Sequence, residues 1–132
     1  MNKAIILQSS AIEKIQLSIG FLGTTVAMGG KALLFLMDEA LVTFLKNTWQ
    51  NNTTSFQDSN LTERYTDSYE TGLLSRPYDM LIQAKSMGNL SVYGCSTTCK
   101  INHLLDTHKK LDGILGLTSF LNLAKDFEIQ II

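Results

Sequence analysis

The only two cysteines of the chain, Cys95 and Cys99, lie in Leu90-Ser91-Val92-Tyr93-Gly94-Cys95-Ser96-Thr97-Thr98-Cys99. Leu90 to Tyr93 reads as a buried strand and Ser96 onward as a helix, which puts Cys95 at the junction. A thiol reacts as its thiolate, and an ordinary cysteine, with a pKa of about 8.5, is mostly protonated at neutral pH. The free N–H groups and dipole of a helix start favour an anion, so a cysteine at that position is a candidate nucleophile and a candidate holder of a persulfide anion. Ser96 and Thr97 would add hydroxyl and amide donors, and Gly94 leaves room for a substrate or partner. The competing reading is a small core cysteine with no chemistry. Cys99 follows one helical turn later and is a candidate resolving thiol, with core packing again as the alternative. The spacing is not the redox Cys-x-x-Cys, and a disulfide across one helical turn would be strained.

Other chemistries fit less well. Cys95, Cys99 and His103 recur at intervals of four and drift around a helix, so they do not close on one tetrahedral ion. Zinc-finger spacing separates its cysteine and histidine pairs by about a dozen residues. No metal is expected, and His103 and His108 read as solvated or helix-end residues. A phosphate-binding lysine motif is absent, and Gly20-Phe21-Leu22-Gly23 and Gly29-Gly30 lack the dinucleotide fingerprint, so no cofactor is expected. Asp38-Glu39 reads mainly as helix capping. Asp38 nevertheless ends the second strand and is a candidate neighbour of the Cys95 site.

The 132 residues fit one domain, with a hydrophobic fraction of 45% and a charged fraction of 17%. Such a composition suits either a large core or surface hidden in an oligomer. The net charge is −1, and Lys109-Lys110 is the only adjacent basic pair, so no nucleic-acid groove is expected. Met1 to Leu7 is too short an apolar run for a secretion signal. Ile19 to Met37 is interrupted by glycines and Lys31, so no membrane span is expected. Two cysteines do not make a disulfide scaffold, and the expected compartment is cytoplasmic.

The elements that must position these residues alternate. Lys3 to Leu7 reads as a strand. Ser10 with Glu13 forms a possible capping box for a helix from Ala11 to about Met28, ended by Gly29-Gly30. Lys31 to Leu36 is a second strand, and Asp38 caps a helix that fades at Asn47. Trp49 to Thr71 is polar, with scattered aromatics, and reads as a long loop with a helical turn or two at Glu63 to Tyr69. It is the core of an insertion at about 48–75. Pro77 opens a helix with Ser75 as candidate cap. Leu90 to Tyr93 is the third strand, followed by a helix from Ser96 to about Lys110 with Ile101, Leu104 and Leu105 inward. Gly113 to Leu115 is a strand, Thr118 starts a helix with Phe120, Leu121 and Ala124 on one face, and Glu128 to Ile132 closes the chain as a strand. Five strand–helix steps without a closing helix argue for an α/β fold with a mostly parallel five-stranded sheet covered on both faces, Rossmann-like or flavodoxin-like. Sites in such sheets lie outside the carboxyl ends of the strands, where Cys95 falls.

The chain also resembles the DsrE/DsrF-like sulfur-relay family. The likeness rests on pieces in order: Ala27-Met28-Gly29, the strand Ala32 to Leu36 with Asp38-Glu39, then Met87-Gly88-Asn89 through Gly94-Cys95-Ser96, then Gly113-Ile114-Leu115-Gly116-Leu117-Thr118 with Phe120, Leu121 and Ala124. It covers nearly all of the chain outside Trp49 to Thr71. The resemblance implies a three-layer α/β/α fold, a homo-oligomer (commonly a trimer or hexamer), and a persulfide carried on Cys95 between sulfur donor and acceptor proteins. It gives Cys99 no counterpart. The alternatives are a non-catalytic oligomeric binding or assembly protein of the same fold, or a thiol redox switch using Cys95 and Cys99.

Overall fold

The computed structural model describes Met1–Ile132. Five strands, β1 (Asn2–Leu7), β2 (Lys31–Leu36), β3 (Leu90–Cys95), β4 (Gly113–Leu115) and β5 (Glu128–Ile131), form one sheet in the order β4-β3-β2-β1-β5. Every pairing is parallel, so the sheet expected to be mostly parallel is wholly so. The helices are α1 (Ile12–Ala27), α2 (Asp38–Leu45), α3 (Ser59–Glu70), α4 (Pro77–Ser86), α5 (Ser96–Asn102) and α6 (Leu117–Leu123), with a 3-10 turn at Trp49–Asn51.

The strand register divides the sheet into two faces. Ile6, Phe35 and Tyr93 are aligned on one, and Ile5, Leu34 and Val92 on the other. Phe120 of α6 stacks on Phe35, with ring centroids 4.4 Å apart, and lies 6.4 Å from Tyr93. The second face carries α1 and α2: Phe21 lies beneath the ammonium of Lys3, and Leu41 abuts Gly94. The helix α4 packs against α1. Right-handed crossovers explain the division. The chain steps from β1 through β4 in one direction, which keeps those helices together, and the return from β4 to β5 sends α6 alone to the opposite face. Ala4 to Leu7 and Ala32 to Leu36 are buried throughout, as strands covered on both faces require.

Several local expectations are corrected. Ser10 does not cap α1; its hydroxyl donates to Glu39, while Ala11 is the N-cap and Glu13 accepts from the Ser55 amide. Asp38 is the first residue of α2 rather than its cap, and its backbone lies at φ +49°. Arg76, not Ser75, precedes Pro77 at the cap of α4. The Trp49 to Thr71 stretch is more ordered than expected. Trp49 is buried and donates from Nε1 to the Ala40 carbonyl, and Asp58 caps α3 by accepting from the amides of Asn60 and Leu61. The helix after Cys95 ends at Asn102 because His103 turns left-handed, at φ +53°. Ile101, still within α5, and Leu105, beyond its end, are exposed rather than inward, and on α6 Leu121 is exposed while Phe120 and Ala124 are buried.

Candidate functional site

Parallel alignment brings the carboxyl ends of β1, β2 and β3 to one edge, and the residues singled out from sequence gather there. Cys95 is both the last residue of β3 and the N-cap of α5. Its strand register pairs it with Leu115 of β4. Gly94 is buried, Ser96 half-buried and Thr97 exposed. A Cβ on Gly94 would stand 2.7 Å from Leu111 Cδ1 and 3.1 Å from Leu41 Cδ1. The missing side chain is therefore occupied by neighbouring leucines and leaves no space for a substrate. The Ser96 hydroxyl faces the turn before α6, 3.7 Å from where a Gly116 Cβ would be.

Asp38 reaches this edge through its backbone. Its amide donates to the buried Thr98 hydroxyl at 3.1 Å, which ties the start of α2 to α5. Its carboxylate turns away and accepts from Gln8 Nε2 at 3.1 Å.

The sulfur atoms are shielded. Cys95 is 3% exposed and Cys99 7%, and both belong to the main hydrophobic cluster. Both thiols are free. None of the five cavities of the molecule is lined by either cysteine. Burial pushes the Cys99 thiol above its ordinary value, and the nearby Cys95 and Asp106 act in the same direction. The sequence offers two readings for each cysteine, and both thiols have the burial of a core residue. No three His, Cys, Asp or Glu side chains converge as metal ligands. His103 and His108 are both exposed. No helix is long and apolar enough to cross a membrane.

Sequence reasoning missed a polar cleft beside this edge, of about 810 Å³ and open to solvent. Gln8, Ser9, Ser10, Asp38 and Glu39 form one wall at the ends of β1 and β2, and Asn52 to Ser55 form the other. Ile132, just past β5, also lines it. The cleft lies outside the carboxyl ends of β1, β2 and β5, the edge at which open α/β sheets bind ligands. The left-handed backbone of Asp38 is a conformation that a non-glycine residue adopts at a cost. The strand-end polar residues Gln8-Ser9-Ser10 were the available signal, but the strand order that gives them meaning was not.

A segment of irregular chain, 103–112, returns from α5 to β4, with Leu111 beside Gly94 and Asp112 beside Val92 of β3. It is tied down at several points. The Asp106 carboxylate accepts from the amides of Lys110 and Leu111, each at 2.8 Å. Asp112 accepts from the Val92 amide at 2.7 Å and pairs with Lys85 at 2.6 Å. Lys110 Nζ donates to the Phe44 carbonyl at 2.5 Å and to Asn47 Oδ1 at 2.6 Å. A comparison with protein-family models gives no match, and neither does a comparison with curated proteins.

Proposed function

We propose that this chain is a sulfur carrier or sulfurtransferase-like protein that accepts sulfane sulfur on Cys95 and passes it on. The observation that carries the reading is the position of that residue, immediately before a helix at the carboxyl edge of a parallel sheet. The resemblance of Met87 through Ser96 and Gly113 through Ala124 to the DsrE/DsrF-like family supports the same reading. In the loading step the Cys95 thiolate attacks the outer sulfur of a donor persulfide, R–S–SH. A new S–S bond forms at Cys95, and the donor leaves as R–S⁻ with the electron pair of its broken S–S bond. An acceptor thiolate then attacks the outer sulfur of the Cys95 persulfide and releases the Cys95 thiolate. Electrons balance within each exchange, so the cycle needs neither an external oxidant nor a cofactor.

Donor and acceptor are proteins, and the chain works in the cytoplasm as a homo-oligomer, a trimer or hexamer. The exposed Leu117, Leu121 and Leu123 of α6, the single helix on its sheet face, support assembly. Because Cys95 is covered, transfer proceeds from an opened state in which α5 and the segment 103–112 move aside. A seven-residue helix followed by irregular chain is the kind of unit that opens locally without global unfolding.

Incubation with a low-molecular-weight persulfide, followed by fragmentation mass spectrometry, tests the reading. Added sulfur on Cys95 supports it. A Cys95 that is alkylated under the same native conditions but gains no sulfur overturns it.

The burial of both sulfurs and the placement of the cavities favour a second reading, a non-catalytic binding or assembly protein. The polar cleft and two further cavities are lined by residues of the Asn47 to Ser55 stretch and not by either cysteine. A Cys95→Ser variant that keeps all biological activity would select this reading. The redox switch, with Cys95 and Cys99 joined under oxidant, predicts a loss of both free thiols without added sulfur.

A further inference from the structure

A cavity of about 340 Å³ lies between the end of α2, the 3-10 turn and the start of α4, within the range of small-molecule sites. Its apolar walls come from Phe44, Trp49 and Tyr78. The rings of Phe44 and Trp49 are 4.8 Å apart, and Tyr78 lies 6.1 Å from Phe44. Against these rings stands Lys110, with its Nζ 4.1 Å from the Phe44 centroid and 4.8 Å from that of Tyr78. Two donors of that ammonium go to the Phe44 carbonyl and Asn47 Oδ1, and an ammonium has three.

Arg76 stands on the lining as well. It takes part in neither ion pair of the molecule, Lys3–Glu128 or Lys85–Asp112. Its guanidinium lies 5.8 Å from the Tyr69 ring centroid, and Arg76 itself is exposed. The start of α4 borders the same space, and no side chain caps it. Asp79 supplies the one carboxylate of the lining. Two cations against one carboxylate suit a monoanion and disfavour a doubly charged phosphate.

We propose that this cavity binds a small amphipathic monocarboxylate, with its apolar body against Phe44, Trp49 and Tyr78 and its carboxylate on Arg76 and the remaining Lys110 donor. Aromatic walls supply shape and desolvation, and the fixed cations select the charged head. The site is separate from Cys95, and the inference does not rest on the sulfur chemistry.

Trp49 is the only tryptophan of the chain, so its fluorescence reports on the site directly. The probes are 3-phenylpropionate and its neutral amide, 3-phenylpropionamide, titrated into the full chain. The expected result is a saturable change in Trp49 emission with the carboxylate and at least tenfold weaker binding of the amide. Arg76→Gln, an exposed substitution, should weaken carboxylate binding about tenfold and leave amide binding unchanged. Thermal unfolding of this variant should match the parent. Lys110→Met provides a second variant and should also lower the preference for carboxylate over amide. Equal binding of both probes, no saturation with the carboxylate, or an Arg76→Gln variant that folds and binds as the parent does would each overturn the proposal.

Discussion

At the scale of single residues, Cys99 and Tyr69 show how burial sets chemistry. Burial pushes Tyr69 up to about 12, with Tyr65 and Glu13 adding to it and Arg76 opposing. Its hydroxyl donates to Gln16 Oε1 at 2.7 Å, a bond that only the protonated form makes. A group raised on folding contributes stability that is complete below its unfolded pKa and is lost as pH rises through the folded value. The chain should therefore lose stability between about pH 10, the unfolded value, and about pH 12. Tyr69→Phe should flatten this alkaline limb in denaturant melts taken across that range, and an unchanged limb would assign the loss to other groups. Cys99, also raised, adds stability with the same sign and loses it as its thiol ionises.

Gly94 provides a packing test at the same scale. An added methyl would meet Leu111 and the fully buried Leu41, and overpacking of this kind costs about 1–3 kcal/mol. Gly94→Ala should lower the unfolding free energy by that amount, read as a lower denaturation midpoint at unchanged m-value, and Leu111→Ala in the same chain should restore part of it. From sequence the glycine reads as a position that leaves room for a substrate or partner. Its reason was not readable: neighbouring leucines fill the space that a substrate was expected to use.

At the scale of elements, the strands and the longer helices were legible because their residues carry unambiguous patterns. Ala32 to Leu36 is apolar without a break, and Ile12, Ile15, Ile19, Leu22 and Val26 mark one face of α1. The end of α5 was not legible, because Ile101, Leu104 and Leu105 continue a helical spacing past the point where His103 reverses the backbone. A left-handed histidine leaves no mark in a hydrophobic pattern. The helix α3 was largely hidden for a related reason. It buries only Tyr69, so it carries almost no apolar signal. Its start rests on Asp58, and removing such a cap costs about 1 kcal/mol. Asp58→Ala should speed hydrogen exchange at the α3 amides while leaving exchange in β1 and β2 unchanged.

The segment 103–112 yields a sharper prediction at this scale. Asp106 holds two of its amides, and losing such bonds costs about 1–2 kcal/mol, a factor of about 5–30 in an opening equilibrium. Asp106→Ala should raise the alkylation rate of native Cys95 by that factor. An unchanged rate would mean that this segment does not govern access.

At the scale of the whole molecule, the α/β class and the carboxyl-edge location of Cys95 follow from alternation alone, since parallel crossovers admit few arrangements. Strand order does not follow from alternation. The cleft walled by Gln8, Ser9, Ser10 and Asp38 depends on β5 lying beside β1, a pairing between the two ends of the chain that no local pattern encodes. The unequal helix layers are likewise a product of that order. With α6 alone on its face, Leu117, Leu121 and Leu123 remain exposed. In the proposed oligomer this layer is covered by neighbouring copies. Leu121→Glu should then reduce the sedimentation coefficient to that of a monomer while circular dichroism stays native. A parent chain that already sediments as a monomer would remove the assembly.

The central claim is that Cys95, although covered, takes up sulfur. Intact-mass measurement of the parent, Cys95→Ser and Cys99→Ser chains after exposure to a persulfide donor tests it most directly. The account predicts one added sulfur atom on the parent and on Cys99→Ser, none on Cys95→Ser, and return to the starting mass on addition of a thiol acceptor. A parent chain that gains no sulfur, or a Cys95→Ser chain that gains as much as the parent, would contradict it.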